Sequence, residues 1–567
     1  MTILKTKKWT LLLMGWMLMS FAYPTLTHAQ SVYEHTSNTG IYQFLDELAN
    51  NQWIDINSAI KPYSRHYIAA KLVEAEKYSS EMNKRQRQEL AFYKKGFGLE
   101  IYKKLHTNPR LNPFKKAKNL GFDINPLGVF YKDSLFSFQA QFLYGYSFMK
   151  NDNGSNLFGY GGLQGYGYVG KHFGFYASLR DMHYKKVLNK VEYLNTIPGG
   201  LFKGSTTREG VDWSEMRGGL TYQWKWGEVA IVKDHFEWGD NQHGSNILSD
   251  KAPSFGQIRL KLTPAPWLEI NYVHGWLVSE VIDSTKSYMD GHPQSPRYRA
   301  VFFNKWLSAN MFTFKPLKGL RLSIGNSIVY SDSDNIAYWI PLFVYKPVDH
   351  TYNAIGSYTD GDSGQNSQLF ANVSIRMIKH LHIYGSVFTD EIKFSRITKS
   401  NLHNPWSWKG GFQISNLLVN NYSFTFEYTR TLPGTYQHRI SSTTYASNRY
   451  VLGHFLRDNS EELYARLVIR PIRGLSLQGE MFVQRHGPNV LYITGKDIIT
   501  EPFMRHVAWQ NKTIAFTANY ELFNNVNFFA KATLSNISGE QDLVKLWTPE
   551  YLRGKQTTMM AGFQIGL

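Results

Sequence analysis

Histidine and aspartate recur in the polar segments of this chain, and together these residue types can perform acid–base or nucleophile-activating chemistry. The histidines in question are His235, His243, His350, His438, His454 and His486, and the aspartates are Asp234, Asp240, Asp349 and Asp458. No spacing among them enforces a catalytic geometry, and the sequence contains no G-x-S-x-G, H-E-x-x-H or P-loop motif. We therefore expect no enzyme, with a surface hydrolase as the catalytic alternative.

One acidic segment has the residue types of a cation site. Asp360 and Asp362 lie two residues apart with Gly361 between them, and carboxylate oxygens are the ligands that calcium takes. The segment lacks the downstream glutamate of an EF-hand loop. A turn-rich loop is thus favoured over a calcium site at Asp360 and Asp362, and no cofactor is expected.

A third set of residues suits sugar binding, because aromatic faces stack on pyranose rings and the arginine fork pairs with carboxylates. The candidates are Trp238, His243, Tyr338, Trp339, Lys346, Arg430, Tyr436, Arg439 and Arg449. Tyrosine and tryptophan also form the interfacial belts of membrane barrels. Both interpretations of these aromatic residues stay open.

From about residue 135 the apolar pattern has a period of two. In residues 463–469, Leu463, Ala465 and Leu467 share one face, whereas Tyr464 and Arg466 share the other. The runs reach about 10–13 residues, the length that tilted membrane strands need, whereas strands of a soluble β-sandwich are usually about 5–6 residues long. The sequence therefore predicts an all-β transmembrane barrel.

Tight turns alternate with long loops along this region, as periplasmic turns and extracellular loops do in such barrels. Nine loops, near 148–157, 185–212, 238–253, 282–297, 332–365, 391–405, 431–459, 487–510 and 537–556, imply about eighteen antiparallel strands. The face opposite the aliphatic one carries charges of both signs, and we expect them to pair inside the barrel. These residues are Arg259, Lys261, Glu269, Glu427, Glu480, Glu521 and Lys531.

The N-terminal part of the sequence has signal-peptide and helical patterns instead of strand alternation. Residues 1–29 combine a lysine-containing start, a short apolar stretch and Thr27-His28-Ala29, the pattern of a secretory signal peptide. Ile41, Phe44, Leu45 and Leu48 then follow helical spacing, Ser64 is a candidate N-cap, and a third helix is expected from about residue 83 to 95. The predicted domains are a signal peptide (1–29), a periplasmic helical segment or plug (30–118) and an outer-membrane barrel (119–567).

The charge balance is basic. The chain has 567 residues and a formal net charge of +18, of which residues 1–29 contribute three lysines and no acid. An exported basic protein suits anionic partners such as acidic polysaccharide or lipid headgroups, and a nucleic-acid partner is not expected. Cysteine is absent, which excludes disulfides and cysteine-based metal sites.

Several short motifs resemble the Wzi-type capsule-assembly family of outer-membrane proteins. They are Trp238-Gly239, His243-Gly244-Ser245, Leu248-Ser249-Asp250, Ala252-Pro253 and Ile258-Arg259-Leu260. Residues 42–49, 61–65, 68–69, 314–320, 341–343 and 348–350 resemble further segments of the family, including the N-terminal helices of its Bacteroidetes-type members. The chain departs from the family pattern at Asp240-Asn241, where W-G-P-G is common.

This resemblance implies an eighteen-stranded barrel whose lower mouth is closed by periplasmic helices. It also implies a role in binding, anchoring or assembling capsular or other extracellular polysaccharide through the extracellular loops. The implied partners are outer-membrane lipid or lipopolysaccharide, acidic extracellular or capsular polysaccharide, and periplasmic or outer-membrane export proteins. The alternative function is an outer-membrane porin or a barrel associated with secretion or gliding.

Overall fold

Eighteen antiparallel strands of this computed structural model close into one barrel. The structure describes residues 31–102, 112–114, 117–202, 210–356, 365–390, 392–397, 399, 402–490 and 499–566. Each strand pairs with the next, and the last pairs with the first through Ile565 opposite Tyr144. The predicted strand number is therefore confirmed.

The barrel strands, numbered in chain order, are β1 Phe136–Asn151, β2 Gly154–Val169, β3 Phe173–Tyr184, β4 Val211–Trp224, β5 Gly227–Asp234, β6 Phe255–Ala265, β7 Leu268–Ile282, β8 Phe302–Leu317, β9 Leu320–Ser331, β10 Asn366–Ile375, β11 Leu381–Thr389, β12 Trp406–Ser415, β13 Tyr422–Thr431, β14 Ser460–Ile469, β15 Leu475–His486, β16 Trp509–Phe523, β17 Val526–Gly539 and β18 Gly554–Ile565. Short strands outside the ring are Leu120–Ile124 with Leu127–Lys132, Ile60–Lys61 with Glu237–Trp238, Tyr288–Asp290 with Arg297–Arg299, and Ala446–Ser447 with Tyr450–Val451.

Exposed and buried residues alternate along the barrel strands, as the sequence pattern predicts. In β1, Phe142, Tyr144, Tyr146 and Phe148 are exposed on the outer wall, and the residues between them are buried. Such an outward apolar band is the surface that a membrane barrel shows to lipid. Charges on the inner face pair as expected, since the Lys261 Nζ–Glu269 Oε2 distance is 3.3 Å and the Lys531 Nζ–Glu480 Oε2 distance is 3.8 Å.

The N-terminal residues form the helices α1 Thr39–Asn50, α2 Arg65–Glu76, α3 Lys84–Gly96 and α4 Gly98–Ile101. The predicted cap is confirmed, because Ser64 Oγ accepts from the backbone N–H of Tyr67. Asn83 and Gln86 form a capping box at the start of α3. The apolar residues that sequence spacing placed on α1 are all buried in one core with α2 and α3.

These helices contact the tight turns of the barrel. Arg85 Nε donates to Asn421 Oδ1 at 2.9 Å, Asn524 Nδ2 donates to the carbonyl of Phe92 at 3.1 Å, and Arg376 Nη2 lies 3.1 Å from Asp46 Oδ1. The helices therefore lie at the end of the barrel where most of the short turns are, which is the periplasmic end in such barrels.

The remaining helices are α5 Tyr345–Gly356, α6 Phe394–Ile397 and α7 Gln541–Trp547, with 3-10 turns at Ile336–Trp339, Ser441–Thr443 and Glu550–Leu552. Among the described residues, no helix is both long enough and apolar enough to span a bilayer. The strands β1 and β2 meet in a tight turn at 152–153 rather than in the long loop expected near 148–157.

The segment between β5 and β6, residues 235–254, turns into the barrel, and we call it the lumen segment. Trp238 is only 3% exposed and pairs with Ile60 of the N-terminal region. The backbone N–H of Asp240 donates to Asn372 Oδ1 at 3.0 Å, and Ser58 Oγ donates to the Asp240 carboxylate. The expectation that residues 238–253 project outward is therefore wrong, because groups of the inner wall and of the connection between α1 and α2 bind the segment inside.

Another long connection folds against the outside of the barrel instead of into the lumen. Residues 334–349, between β9 and β10, lie on the outer wall, and we call them the wall strap. Asn310 Nδ2 on the outer face of β8 donates to the carbonyls of Pro341 and Phe343 at 2.9 and 2.8 Å. The long loops thus take three positions: outside the mouth, inside the lumen and against the wall.

Candidate functional site

A cavity of about 430 Å³, the mouth cavity, opens at the extracellular end of the barrel. Its walls come mainly from residues 435–458 between β13 and β14, with contributions from the end of β15 and from α7. The polar and aromatic side chains that line it include Tyr436, Gln437, His438, Arg439, Arg449, Arg457, Asp458, His486 and Trp547.

Three tyrosine hydroxyl groups fix the loop that carries these residues. Tyr436 donates to the carbonyl of Asn246 at 2.7 Å, and Tyr445 donates to that of Ile247 at 3.0 Å. Tyr450 donates to the carbonyl of Asn189 at 2.8 Å. Since two of the acceptors belong to the lumen segment, that segment forms the platform on which the extracellular loop rests.

A two-residue turn orients one of the arginines. Asn448 and Arg449 have φ values of 49° and 63°, and they join the short strands Ala446–Ser447 and Tyr450–Val451. Two consecutive left-handed residues are typical of a type I′ hairpin turn. The turn leaves Arg449 exposed, where its Nη2 atom lies 2.7 Å from Glu192 Oε1.

The mouth cavity carries more positive than negative charge. Arg439, Arg449 and Arg457 line it together with one carboxylate, Asp458, while Glu192 and Glu280 pair with Arg449 from outside the lining. Burial raises the pKa of Asp458 to about 6, although hydrogen bonds from the Gly434 N–H and Gln437 Nε2 oppose the shift. Burial also disfavours the charged form of Arg457, and it therefore lowers the pKa of that group. Below about pH 6 the cavity therefore loses its carboxylate charge and keeps its arginines.

The nine sugar-binding candidates from the sequence fall into four places. Tyr436, Arg439 and Arg449 line the mouth cavity. Arg430 lies on the outer face of β13 over the ring of Phe503, with 3.8 Å between the guanidinium carbon and the ring centroid. The remaining five are the lumen residues Trp238 and His243 and the wall-strap residues Tyr338, Trp339 and Lys346.

Contacts explain why those five residues are not at the mouth, and for Lys346 the contact is with Asp349 Oδ2 of the wall strap, 3.7 Å from its Nζ atom. Trp238 packs in the core formed by the lumen segment and the inner wall, and His243 stacks on Tyr464 with ring centroids 4.2 Å apart. Tyr338 is buried against the outer wall, and Trp339 stacks on His274 with centroids 3.9 Å apart. Their aromatic type fitted a sugar site, but the same type also fits packing against a wall.

Sequence reasoning missed Arg457 and Trp547 as members of the site. Arg457 lies in a long polar loop, where its cationic character was the only local signal. Trp547 comes from α7, which lies about 90 residues beyond the mouth loop in sequence. Only the closed barrel brings these two residues to the same cavity.

Two of the histidines that suggested catalysis, His243 and His454, meet a buried glutamate inside the lumen. His243 Nδ1 lies 2.9 Å from Glu462 Oε1, and His454 Nε2 lies 3.4 Å from Glu462 Oε2, with all three residues largely buried. In the described part of the chain, no three histidine or acidic side chains converge as metal ligands would. Asp360 and Asp362 lie outside the described residues.

The closed ring, the outward apolar band and the mouth built from long loops define a transmembrane β-barrel whose lumen is occupied by its own chain. Residues 150–538 match the family model described as capsule assembly protein Wzi. The chain therefore belongs to the Wzi capsule-assembly family, and it lies in the outer membrane.

Among solved structures, the chain is similar to the outer-membrane protein Wzi of Escherichia coli, described as involved in group 1 capsule assembly and as a carbohydrate-binding β-barrel. The sequences are 11% identical, the match covers 95% of this chain and 100% of that one, and the TM-score is 0.54. Pseudomonas aeruginosa OprD (10% identity, 75% and 94% coverage, TM-score 0.39) and Acinetobacter baumannii OccAB2 (10%, 76% and 99%, 0.41) are also similar. No curated protein sequence matches the chain significantly.

Proposed function

We propose that this protein binds an acidic capsular or other extracellular polysaccharide at the mouth cavity and holds it at the cell surface without covalent catalysis. The observation that carries the proposal is the cavity itself, where Arg439, Arg449 and Arg457 converge beside aromatic residues at the extracellular end. Family membership and the carbohydrate-binding description of the Escherichia coli relative support it.

The contacts fit a repeating acidic polymer. Guanidinium groups pair with carboxylate or sulfate groups in a bidentate manner, and Arg439 and Arg449 are exposed enough to meet a chain that passes over the mouth. Each contact is weak, but neighbouring repeats of one polymer bind at high effective concentration. Tethering then follows from several weak contacts rather than from one deep pocket.

The other sequence candidates have positioning roles in this proposal. Trp238 and His243 keep the lumen segment in place beneath the mouth loop, and Arg430 meets outer-membrane lipid or lipopolysaccharide at the rim. We further propose the domain arrangement of signal peptide (1–29), periplasmic helical plug (30–118) and barrel (119–567), in which the helices offer a surface to export proteins.

Binding measurements on the purified barrel test the cavity. Polygalacturonate, hyaluronate and neutral dextran are passed over immobilised wild-type protein and the variant Arg439→Gln/Arg449→Gln. We expect binding of the acidic polymers to fall at least tenfold in the variant. The matched control is Arg297→Gln, an exposed arginine of the hairpin Tyr288–Asp290/Arg297–Arg299 outside the cavity, which should bind like wild type.

Equal binding of all three proteins, or equal binding of dextran and the acidic polymers, would contradict the proposal.

In cells, deletion of the gene should leave polysaccharide synthesis intact but shift polymer from the cell surface into the medium. Surface attachment that is unchanged after deletion would exclude a tethering role.

A further inference from the structure

Four polar or ionisable residues lie together on the outer face of β7, β8 and β9 and interrupt the apolar wall there. Asn310 of β8 lies opposite Asn326 of β9, and both share the outward face with Ile324, which is 59% exposed to the surroundings. Ser308 and His274 continue the same outward rows on β8 and β7. Uncompensated polar side chains on a lipid-facing wall are costly.

The wall strap covers these residues, and its backbone groups form hydrogen bonds with Asn310 and Asn326. Besides the two bonds from Asn310 to strap carbonyls, the backbone N–H of Tyr345 donates to Asn326 Oδ1 at 2.9 Å. The Tyr272 hydroxyl donates to the carbonyl of Tyr338 at 3.1 Å. Non-barrel backbone is tolerated at membrane depth only where its polar groups find protein partners, and the wall supplies such partners here.

The strap turns an apolar surface away from the wall. Its large exposed residues are aliphatic or aromatic: Ile336, Ile340, Leu342, Phe343 and Val344, of which Ile336 is 79% exposed. An exposed charge, Asp334, lies at the start of the strap and accepts from Trp339 Nε1 at 2.9 Å and from the Tyr330 hydroxyl at 2.8 Å.

This surface continues the exposed apolar band of the strands. Leu322 and Ile324 lie on its periplasmic side, and Val278 and Ile282 lie on its extracellular side along the same face.

From this arrangement we propose that the wall strap is embedded in the acyl-chain layer of the outer membrane, with Asn310 and Asn326 binding its backbone to the barrel. The strap is thus a lipid-contacting element rather than an extracellular loop. Acyl chains are the occupant that continuity with the apolar band requires, and this assignment is independent of the polysaccharide site.

Site-directed spin labelling tests the depth of the strap, since the chain has no native cysteine. Leu342→Cys is labelled with a nitroxide in full-length protein reconstituted into phosphatidylcholine–phosphatidylethanolamine vesicles. Ile324→Cys on the bare wall is the lipid-facing reference, and Ser441→Cys on the exposed mouth loop is the aqueous reference. We expect the label at 342 to match that at 324, with high collision rates for oxygen and low rates for a water-soluble nickel chelate.

A label at 342 that behaves like the label at 441 would overturn the proposal by placing the strap in water. Low accessibility to both reagents would overturn it as well, because the strap would then be covered by protein such as a second copy of the chain.

The role of the asparagines is tested with Asn326→Leu in the labelled protein. A leucine is compatible with a lipid-facing position of the wall, so the barrel should still fold. The nitroxide at position 342 of the strap, however, should become at least twofold more mobile. Asn304→Leu, at an exposed position six residues before Asn310 on the same strand face, is the matched control. Equal mobility in both variants would show that the amide does not hold the strap.

Discussion

Replacement of Glu427 by alanine is expected to release the lumen segment from the inner wall. Glu427 projects from β13 into the lumen and is almost completely buried. Its carboxylate accepts from the backbone N–H groups of Gln242 and His243 at 2.6 and 3.0 Å, and from Lys409 Nζ at 3.0 Å. A single wall carboxylate thus binds the turn of the lumen segment and neutralises a buried lysine.

The magnitude follows from these three contacts, beside which the Tyr384 hydroxyl of the wall also donates to Glu427 Oε1 at 2.7 Å. Each buried N–H that loses its acceptor costs about 1–3 kcal/mol, and removing one partner of a buried ion pair costs about 3–5 kcal/mol. The costs are not additive, because water that enters the released site hydrates both the amides and Lys409. We expect a loss of about 3–5 kcal/mol in the docking of the segment, which is roughly a 10²- to 10⁴-fold shift towards the released state.

Conductance in planar bilayers measures the consequence, because a barrel of this strand number encloses an aqueous channel when nothing fills it. Glu427→Ala should show frequent openings, and hydrogen exchange across residues 235–254 should accelerate. The double variant Glu427→Ala/Lys409→Ala should recover part of the loss, since it leaves no unpaired lysine. Glu480→Ala, which removes a lumen carboxylate whose partners Tyr464 and Lys531 belong to wall strands, is the control.

If Glu427→Ala and Glu480→Ala are indistinguishable in conductance and in exchange, the assigned role of Glu427 is refuted. A large open channel in the wild-type protein would contradict a lumen closed by its own segment and would favour the porin alternative.

Three further outcomes are expected. Because the pKa of Asp458 is raised to about 6, the fold binds more protons than the unfolded chain between about pH 4 and 6. The contribution of Asp458 should therefore increase both thermal stability and the binding of a sulfated polysaccharide as the pH falls from 7 to 5, and both increases should be smaller in Asp458→Asn than in the wild type. Asn83→Ala removes the capping box of α3 and should cost about 1 kcal/mol, detected as faster hydrogen exchange in residues 84–96 only. Tyr450→Phe should lower the free energy of unfolding by about 1–3 kcal/mol in urea titrations, since a buried carbonyl loses its donor, whereas the exposed Tyr298→Phe should have no effect.

Much of the architecture was predictable because it depends on local periodicity. Alternation along residues such as 463–469 is a property of each strand by itself, and tight turns mark where strands end, so the strand number followed from counting. The N-terminal helices were predictable for the same reason, since the spacing of Ile41 to Leu48 and the cap at Ser64 are local signals.

The candidate site was only partly predictable. Tyr436, Arg439 and Arg449 were identified by residue type within one loop, and they do meet in the mouth cavity. Arg457 and Trp547 join them through tertiary contacts that no local pattern encodes. Conversely, Trp238 and Tyr338 carried the same sequence signal as Tyr436 and lie in the lumen and on the outer wall.

The sequence by itself therefore determined the barrel, its strand number, the helical segment and the exported, basic character of the chain. Only the tertiary structure decided on which side of the wall each long connection lies. The lumen segment is mostly polar and the wall strap is mostly apolar, but composition alone does not say which surface each one binds, and their destinations depend on polar partners on other elements. Glu427 and Asn372 bind the first inside, and Asn310 and Asn326 bind the second outside. A buried backbone must find hydrogen-bond partners, and the folded wall determines where those partners lie.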